Sequence, residues 1–326
     1  MIDRYGRKID YIRISVTDRC NLRCRYCMPV QGIAKATHED ILSYEEILRL
    51  CRIFTDLGIS KIKITGGEPL VRRGVGSLIR EIKALPGNDQ VTLTTNGVSL
   101  PNRAEELLAA DIDGINISLD TLKAADFAAL TGQNQLAEVL AGVTQLLKSG
   151  YKAVKLNCLP LAGINDDQLV ALAGLAKEHF LAVRFIELMP MGCGTQFSPI
   201  PMALVRKKLQ KAYGTLRPYG QVLGNGPARY FSLPGFRGTI GFIEALDHKF
   251  CSDCNRVRLT ASGFLKLCLQ YDEGIDLRQL LRNGGSDEKI RQEAARYIYM
   301  KPQEHHFDET VGDNHLDYRN MVEIGG

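Results

Sequence analysis

The sequence predicts an α/β fold built on a parallel sheet, followed by a smaller unit of different texture. Three observations carry this. Six short β-branched runs alternate with amphipathic helical stretches over the first 200 residues. Residue types that carry chemistry recur just after those runs. Near residue 200 the alternation gives way to shorter strand-like segments and a hairpin.

"YIRISVT", from Tyr11, reads as the first strand and leads into a cysteine-rich loop. "SYEEILRLCRIFTDLG" has helical periodicity, opens on a capping-box pattern at Ser43 and Glu46, and stops at Gly58. "KIKIT", "VTLTTN", "GINISLD", "AVKLNCLP" and "AVRFIEL" follow as further strands. Between them "GVGSLIREIKAL", "RAEELLAAD", "LAEVLAGVTQLLKSG" and "DDQLVALAGLAKEHF" read as helices. Strands each followed by helical sequence imply parallel pairing through right-handed crossovers. Six units fall short of the eight of a closed barrel, so a partial barrel and an open doubly wound sheet both fit. In either, the site belongs at the C-terminal ends of the strands, where "GGEP", "TNG", "SLD", "NCLP" and "ELMP" fall. Beyond this, "PMALVRKKLQKAYG" is a helix, and "RYFSLP" and "GTIGFIEA" are strand-like. "RVRLTASGFLKLCL" reads as a hairpin, and "IDLRQLLRN" and "SDEKIRQEAARYIYM" as helices. The expected division is a core over 1–200 and an extension over 201–326.

A chain of 326 residues can bury a core that needs no staples. The net charge of +4 gives no global basic field, which argues against nucleic acid as a partner. No run of about 18 apolar residues suits a membrane span. The opening "MIDRYGRKIDYIRISVT" lacks the apolar stretch of a signal peptide. The nine cysteines are odd in number and partly clustered. That pattern fits metal ligands in a reducing cytoplasm better than a disulfide framework.

"CNLRCRYC" places Cys20, Cys24 and Cys27 in a C-x3-C-x2-C spacing. Three thiolates can hold three irons of a 4Fe–4S cube and leave the fourth open, whereas electron-transfer clusters take four. An open iron can bind a small molecule through an amine and a carboxylate, as the methionyl end of S-adenosylmethionine does. Zinc, with His38 or a remote cysteine as fourth ligand, is the alternative. Tyr26 offers a ring beside the last cysteine. The glycines of "TGGEP" offer backbone amides and carbonyls to an amino acid head group. This combination resembles the radical S-adenosylmethionine superfamily.

A second triad, Cys251, Cys254 and Cys268, is spaced C-x2-C-x13-C. His248 would complete a zinc site. Arg256 and Arg258 follow directly, and on a strand they share one face. They could grip a phosphate-bearing substrate or form a solvated basic face. The two triads, the basic pair and the ending "MVEIGG" resemble, nearly end to end, the GTP 3′,8-cyclase family of molybdenum cofactor biosynthesis.

The resemblance implies a partial (βα)6 barrel of the radical S-adenosylmethionine type, with a C-terminal extension carrying a second iron–sulfur cluster. It implies two 4Fe–4S clusters, on Cys20, Cys24 and Cys27 and on Cys251, Cys254 and Cys268. S-adenosylmethionine would meet Tyr26, Gly67, Ser118, Arg184 and Met189. GTP would meet Arg13, Lys63, Thr94, Lys155, Arg256 and Arg258, of which Arg13, Arg256 and Arg258 would be catalytic. The implied reaction is cyclisation of GTP to (8S)-3′,8-cyclo-7,8-dihydroguanosine 5′-triphosphate, after a 5′-deoxyadenosyl radical takes the 3′ hydrogen. Implied partners are a reductant of flavodoxin or ferredoxin type, cyclic pyranopterin monophosphate synthase downstream, and a second copy in a homodimer. The ending Gly325 and Gly326 would thread into the site. Two positions depart from the family pattern: Lys63 replaces a usual arginine, and Gly74 an aspartate after "RR". The competing readings are a radical enzyme acting on peptides with an auxiliary cluster, a non-catalytic iron–sulfur electron carrier, and a zinc protein binding nucleotide or RNA.

Overall fold

A computed structural model describes residues 1–34, 36–221, 223–307 and 316–325. The six expected strands form, and run parallel in chain order: β1 (Tyr11–Ser15), β2 (Lys61–Thr65), β3 (Gln90–Thr95), β4 (Gly114–Ser118), β5 (Val154–Cys158) and β6 (Ala182–Ile186). The crossovers are α1 (Tyr44–Asp56), α2 (Val75–Lys83), α3 (Leu100–Ala109), α4 (Ala124–Thr131), α5 (Leu136–Lys148) and α6 (Leu169–Glu178). The capping box at Ser43 and Glu46 closes as its sequence predicts. The short α4 was not foreseen: Lys123 gives it no side-chain cap, and its apolar residues form no clear stripe.

The C-terminal region extends both edges of this sheet. After α7 (Met202–Tyr213) come β7 (Arg217–Pro218), β8 (Arg229–Ser232) and β9 (Thr239–Ile243); β9 lies parallel to β6. Then β10 (Arg256–Leu259) lies parallel to β1, and β11 (Phe264–Lys266) and β12 (Gly274–Asp276) fold back antiparallel. Helices α8 (Leu277–Arg282), α9 (Asp287–Tyr299) and α10 (Met321–Ile324) follow. The strand order begins at β12 and ends at β7, a partial barrel with two edges.

The strand sequences set the curl. Outward residues are apolar and join one core with the helices: Ile12 and Ile14, Ile62 and Ile64, Val91 and Leu93, Ile115 and Ile117, Val183 and Phe185. Inward residues are polar, among them Arg13, Lys63, Thr94, Asn116, Lys155 and Arg184. This period-two split is the pattern of a one-sided sheet. Lys63 on β2 and Arg184 on β6 line one cavity. In a flat sheet, four strand spacings would hold them about 19 Å apart. The sheet therefore bends into a trough with a polar lining.

A cationic cavity between two cysteine triads

The first triad lies at the C-terminal mouth of the trough, in the loop leaving β1. The chain there is pinned by backbone bonds: Arg23 N to Thr131 O (2.7 Å), Arg25 N to Leu130 O (3.0 Å) and Cys27 N to Cys24 O (2.9 Å). Cys20 Sγ accepts from Leu22 N (3.4 Å) and Asn96 Nδ2 (3.7 Å). Burial, and then the charges of Cys27 and Cys20, push the Cys24 thiol well up. Burial, then Cys20 and Cys193, push Cys27 up to about 12. Three half-buried thiols that feel one another's charge oppose one another's ionisation unless a metal cation offsets it, so this donor set fits an iron–sulfur cluster.

The two glycines of "TGGEP" are required by close backbone approach. A Cβ on Gly66 would lie 2.7 Å from Thr17 O, and one on Gly67 2.4 Å from Arg19 O. This corrects the expectation of free amides. Gly67 N donates to Thr17 O (2.7 Å) and Glu68 N to Arg19 O (2.8 Å). Carbonyl oxygens remain, and these suit an ammonium group. Glu68, not singled out from sequence, accepts from Leu70 N (2.9 Å), Thr95 Oγ1 (2.7 Å) and Asn96 N (2.6 Å). Burial pushes it up to about 7.

Tyr26 packs edge-on against Phe197 and donates its hydroxyl to Asp120 Oδ2 (2.7 Å). Asp120 also accepts from Leu159 N (2.8 Å) and is pushed up to about 6 by burial. It too was missed; "SLD" at a strand end was its only signal. Ser118 ends β4 level with Asn157, and Asn157 is level with Arg184. Met189 is half-buried in the loop after β6.

The second triad lies at the opposite mouth. Cys251 and Cys254 immediately precede β10, and Cys268 follows the antiparallel β11. The expectation of a site at the C-terminal strand ends covers only the first triad. Arg7 clamps the second: its guanidinium donates to Cys251 O (2.9 Å), Gln303 O (2.7 Å) and Pro302 O (2.7 Å) and pairs with Asp3. Burial raises Cys251, as do its neighbours Cys268 and Cys254. At Cys254 burial also raises the thiol, but Lys301, Arg256 and Arg7 outweigh it and the pKa falls. A thiolate-rich site with adjacent cations fits a second cluster. His38 and His248, the zinc candidates, are exposed. Among the described residues no three His, Cys, Asp or Glu side chains converge on one ion position. A cube asks for something else, one thiolate on each of three irons.

Between the mouths lies a cavity of about 110 Å³. Arg13, Lys63, Thr94, Lys155, Arg184 and Arg256 all line it. Lys63 is held well below the usual lysine range by burial and by Arg184, Arg13, Lys155 and Arg256. Burial, then Arg184, bring Lys155 down to about 8. Buried Arg256 Nε and Thr92 Oγ1 have no hydrogen-bond partner, polar atoms left for a ligand. Residues 223–227 also line the cavity, and a Cβ on Gly224 would lie 2.9 Å from Lys155 Nζ. Sequence reasoning did not single this stretch out.

Arg258 lies level with Arg13 on the neighbouring strand, and its Nη1 donates to Gly325 O (2.6 Å). The chain end thus enters the trough, with Gly325 against Ser15 and Thr65. Gly326 lies outside the described residues. Gly74 has a left-handed φ of +79° at the start of α2, a conformation that favours glycine and accounts for this residue here.

Residues 14–176 match the Radical SAM superfamily model and residues 181–307 the Molybdenum Cofactor Synthesis C model. A GTP 3′,8-cyclase of Syntrophomonas wolfei is 44% identical over 329 residues, covering all of both chains. One of Moorella thermoacetica is 43% identical over 330 residues, again covering both chains entirely. Among solved structures, Streptococcus suis SuiB bound to precursor peptide SuiA aligns with a TM-score of 0.61 at 13% identity, over 90% of this chain and 66% of that one. That last likeness is one of fold.

Proposed function

The chain belongs to the GTP 3′,8-cyclase family of the radical S-adenosylmethionine superfamily, and from that premise we propose that it cyclises GTP to (8S)-3′,8-cyclo-7,8-dihydroguanosine 5′-triphosphate. This is the first step of molybdenum cofactor biosynthesis. The observation that carries the reading is the cationic cavity with a cysteine triad at each mouth.

Cys20, Cys24 and Cys27 hold one 4Fe–4S cluster, and Cys251, Cys254 and Cys268 the other. When bound, the first cluster and S-adenosylmethionine supply the radical that removes the 3′ hydrogen of GTP. The protein's share is binding, orientation and exclusion of water. Tyr26, Gly67, Ser118 and Met189 ring the first triad and bind the cofactor. Arg184, level with Asn157 and Ser118, stands between cofactor and substrate. Arg13, Lys63, Lys155 and Arg256 offset the triphosphate, which carries roughly four negative charges. Thr94 orients the substrate. Arg258 acts through the tail that it holds, and Gly325 narrows the C-terminal mouth. A closed, preorganised cavity is what a reactive carbon radical requires.

In this reading residues 1–200 bind the cofactor, and 201–326 supply the second triad, Arg256 and Arg258. A flavodoxin- or ferredoxin-type protein supplies electrons, and cyclic pyranopterin monophosphate synthase takes the product. The protein works in the cytoplasm, as a homodimer. No described helix is long and apolar enough to cross a membrane.

Anaerobic reconstitution with iron and sulfide tests the assignment. Replacing the cysteines of either triad with alanine should remove about half of the bound iron. Only the intact protein should cleave S-adenosylmethionine in response to GTP. Cleavage that ignores GTP would refute the substrate.

A further inference from the structure

Nucleoside triphosphates usually enter proteins with Mg²⁺, held by one or two carboxylates and by the phosphates themselves. The wall of this cavity is built differently. It carries Arg13, Lys63, Lys155, Arg184 and Arg256 and, among the described residues, no Asp or Glu. We propose that the cavity takes its triphosphate free of any divalent cation, so that the metal-free nucleotide, not its Mg²⁺ complex, is the ligand. The inference rests on the assignment of GTP to this cavity.

The way Arg184 is held supports it. Buried arginines are commonly fixed by carboxylates, which fix the fork but cancel its charge. Here the fork is fixed by neutral amides. Arg184 Nη2 donates to Asn116 Oδ1 (2.7 Å) and Asn157 Oδ1 (2.6 Å), and Nε donates to Asn157 Oδ1 (2.9 Å). Asn116 is itself fixed by donating Nδ2 to Leu93 O (3.0 Å). Orientation is obtained and the positive charge is kept.

Two buried carboxylates beyond the lining, Glu68 and Asp120 beside the first triad, are already committed. Glu68 accepts from Thr95, Asn96 and Leu70, and Asp120 from Tyr26 and Leu159. A divalent cation entering with the phosphates would bring two positive charges among five cationic side chains. Each contact would be repulsive in a poorly screened site. The protein's cations already do the neutralising that Mg²⁺ does elsewhere.

The test is equilibrium dialysis of GTP against the reconstituted protein, both clusters in place. One series runs in chelator-treated, Mg²⁺-free buffer and another with rising Mg²⁺, with KCl holding ionic strength constant. When about nine-tenths of the GTP is complexed, the apparent Kd should rise about tenfold, because only the free fraction competes for the site. Binding that is unchanged or tightened by Mg²⁺ would overturn the proposal. Binding of GTP under neither condition would remove the substrate assignment and this inference with it. A variant checks the cause: Asn157→Asp keeps the shape beside Arg184 but adds a negative charge. It should weaken metal-free GTP by about fivefold or more and shrink the Mg²⁺ penalty. An Asn157→Asp protein that binds like the parent in both series would contradict the electrostatic account.

Discussion

Arg258 Nη1 donates a 2.6 Å hydrogen bond to the carbonyl of Gly325 inside the polar trough. A residue chosen from sequence for its place beside the second triad thus holds the far end of the chain. Gly325 has a φ of +77°, and an added Cβ would lie 3.1 Å from Ser15 Cβ. Gly325→Ala should therefore strain the tail by about 1–3 kcal/mol and release it. Carboxypeptidase digestion should run faster, and turnover should fall more than GTP affinity. A variant whose tail stays protected would show that the glycine is dispensable.

The segment leading to the tail is tied down by a buried ion pair between Lys266 and Asp317, whose side chains are 0% and 1% exposed. Asp317 also accepts from Arg319. Asp317→Asn leaves the Lys266 charge poorly paired and should cost about 3–5 kcal/mol. Chemical denaturation measures this. The double variant Lys266→Met with Asp317→Leu should regain much of the loss, because burial without charge needs no partner.

Lys155 makes GTP binding depend on pH. Its pKa in the empty protein is lowered to about 8, by burial first and Arg184 second. Between about pH 8 and the ordinary lysine value near 10.4, the unfolded chain binds more protons than the folded one, so the empty protein gains stability as pH rises. Bound triphosphate favours the charged lysine. GTP affinity should therefore fall as pH rises through 8, with proton uptake on binding. Calorimetry in buffers of different ionisation heat detects that uptake. Lys155→Arg should flatten the contribution.

Tyr26 is held by Asp120, which also accepts from Leu159 N. Asp120→Asn leaves one carbonyl oxygen for two donors. S-adenosylmethionine affinity should fall by about three- to tenfold, while GTP affinity stays near the parent value. Tyr26→Phe should cost little more when added to Asp120→Asn, since the two act through one bond. Additive losses would separate them.

Much of this was legible in the sequence because it is local. Alternation of β-branched runs with helical stretches predicted six parallel strands, and the Ser43–Glu46 cap set the start of α1. What stayed hidden depends on distant register. Nothing local says that β9 joins β6 or that β10 joins β1, and so nothing placed the second triad at the opposite mouth. The amide of Gly67 looked free only because Thr17 is remote in sequence. Nothing local marks Asn116 and Asn157 as the amides that hold Arg184.

The most direct test of the central claim uses GTP labelled with deuterium at C3′. The reconstituted, reduced protein is given S-adenosylmethionine and the labelled nucleotide, and 5′-deoxyadenosine is collected for mass analysis. Deuterium should appear in it, and its formation should depend on GTP. Unlabelled 5′-deoxyadenosine, formed at the same rate without GTP, would mean that the cavity between the triads holds something else.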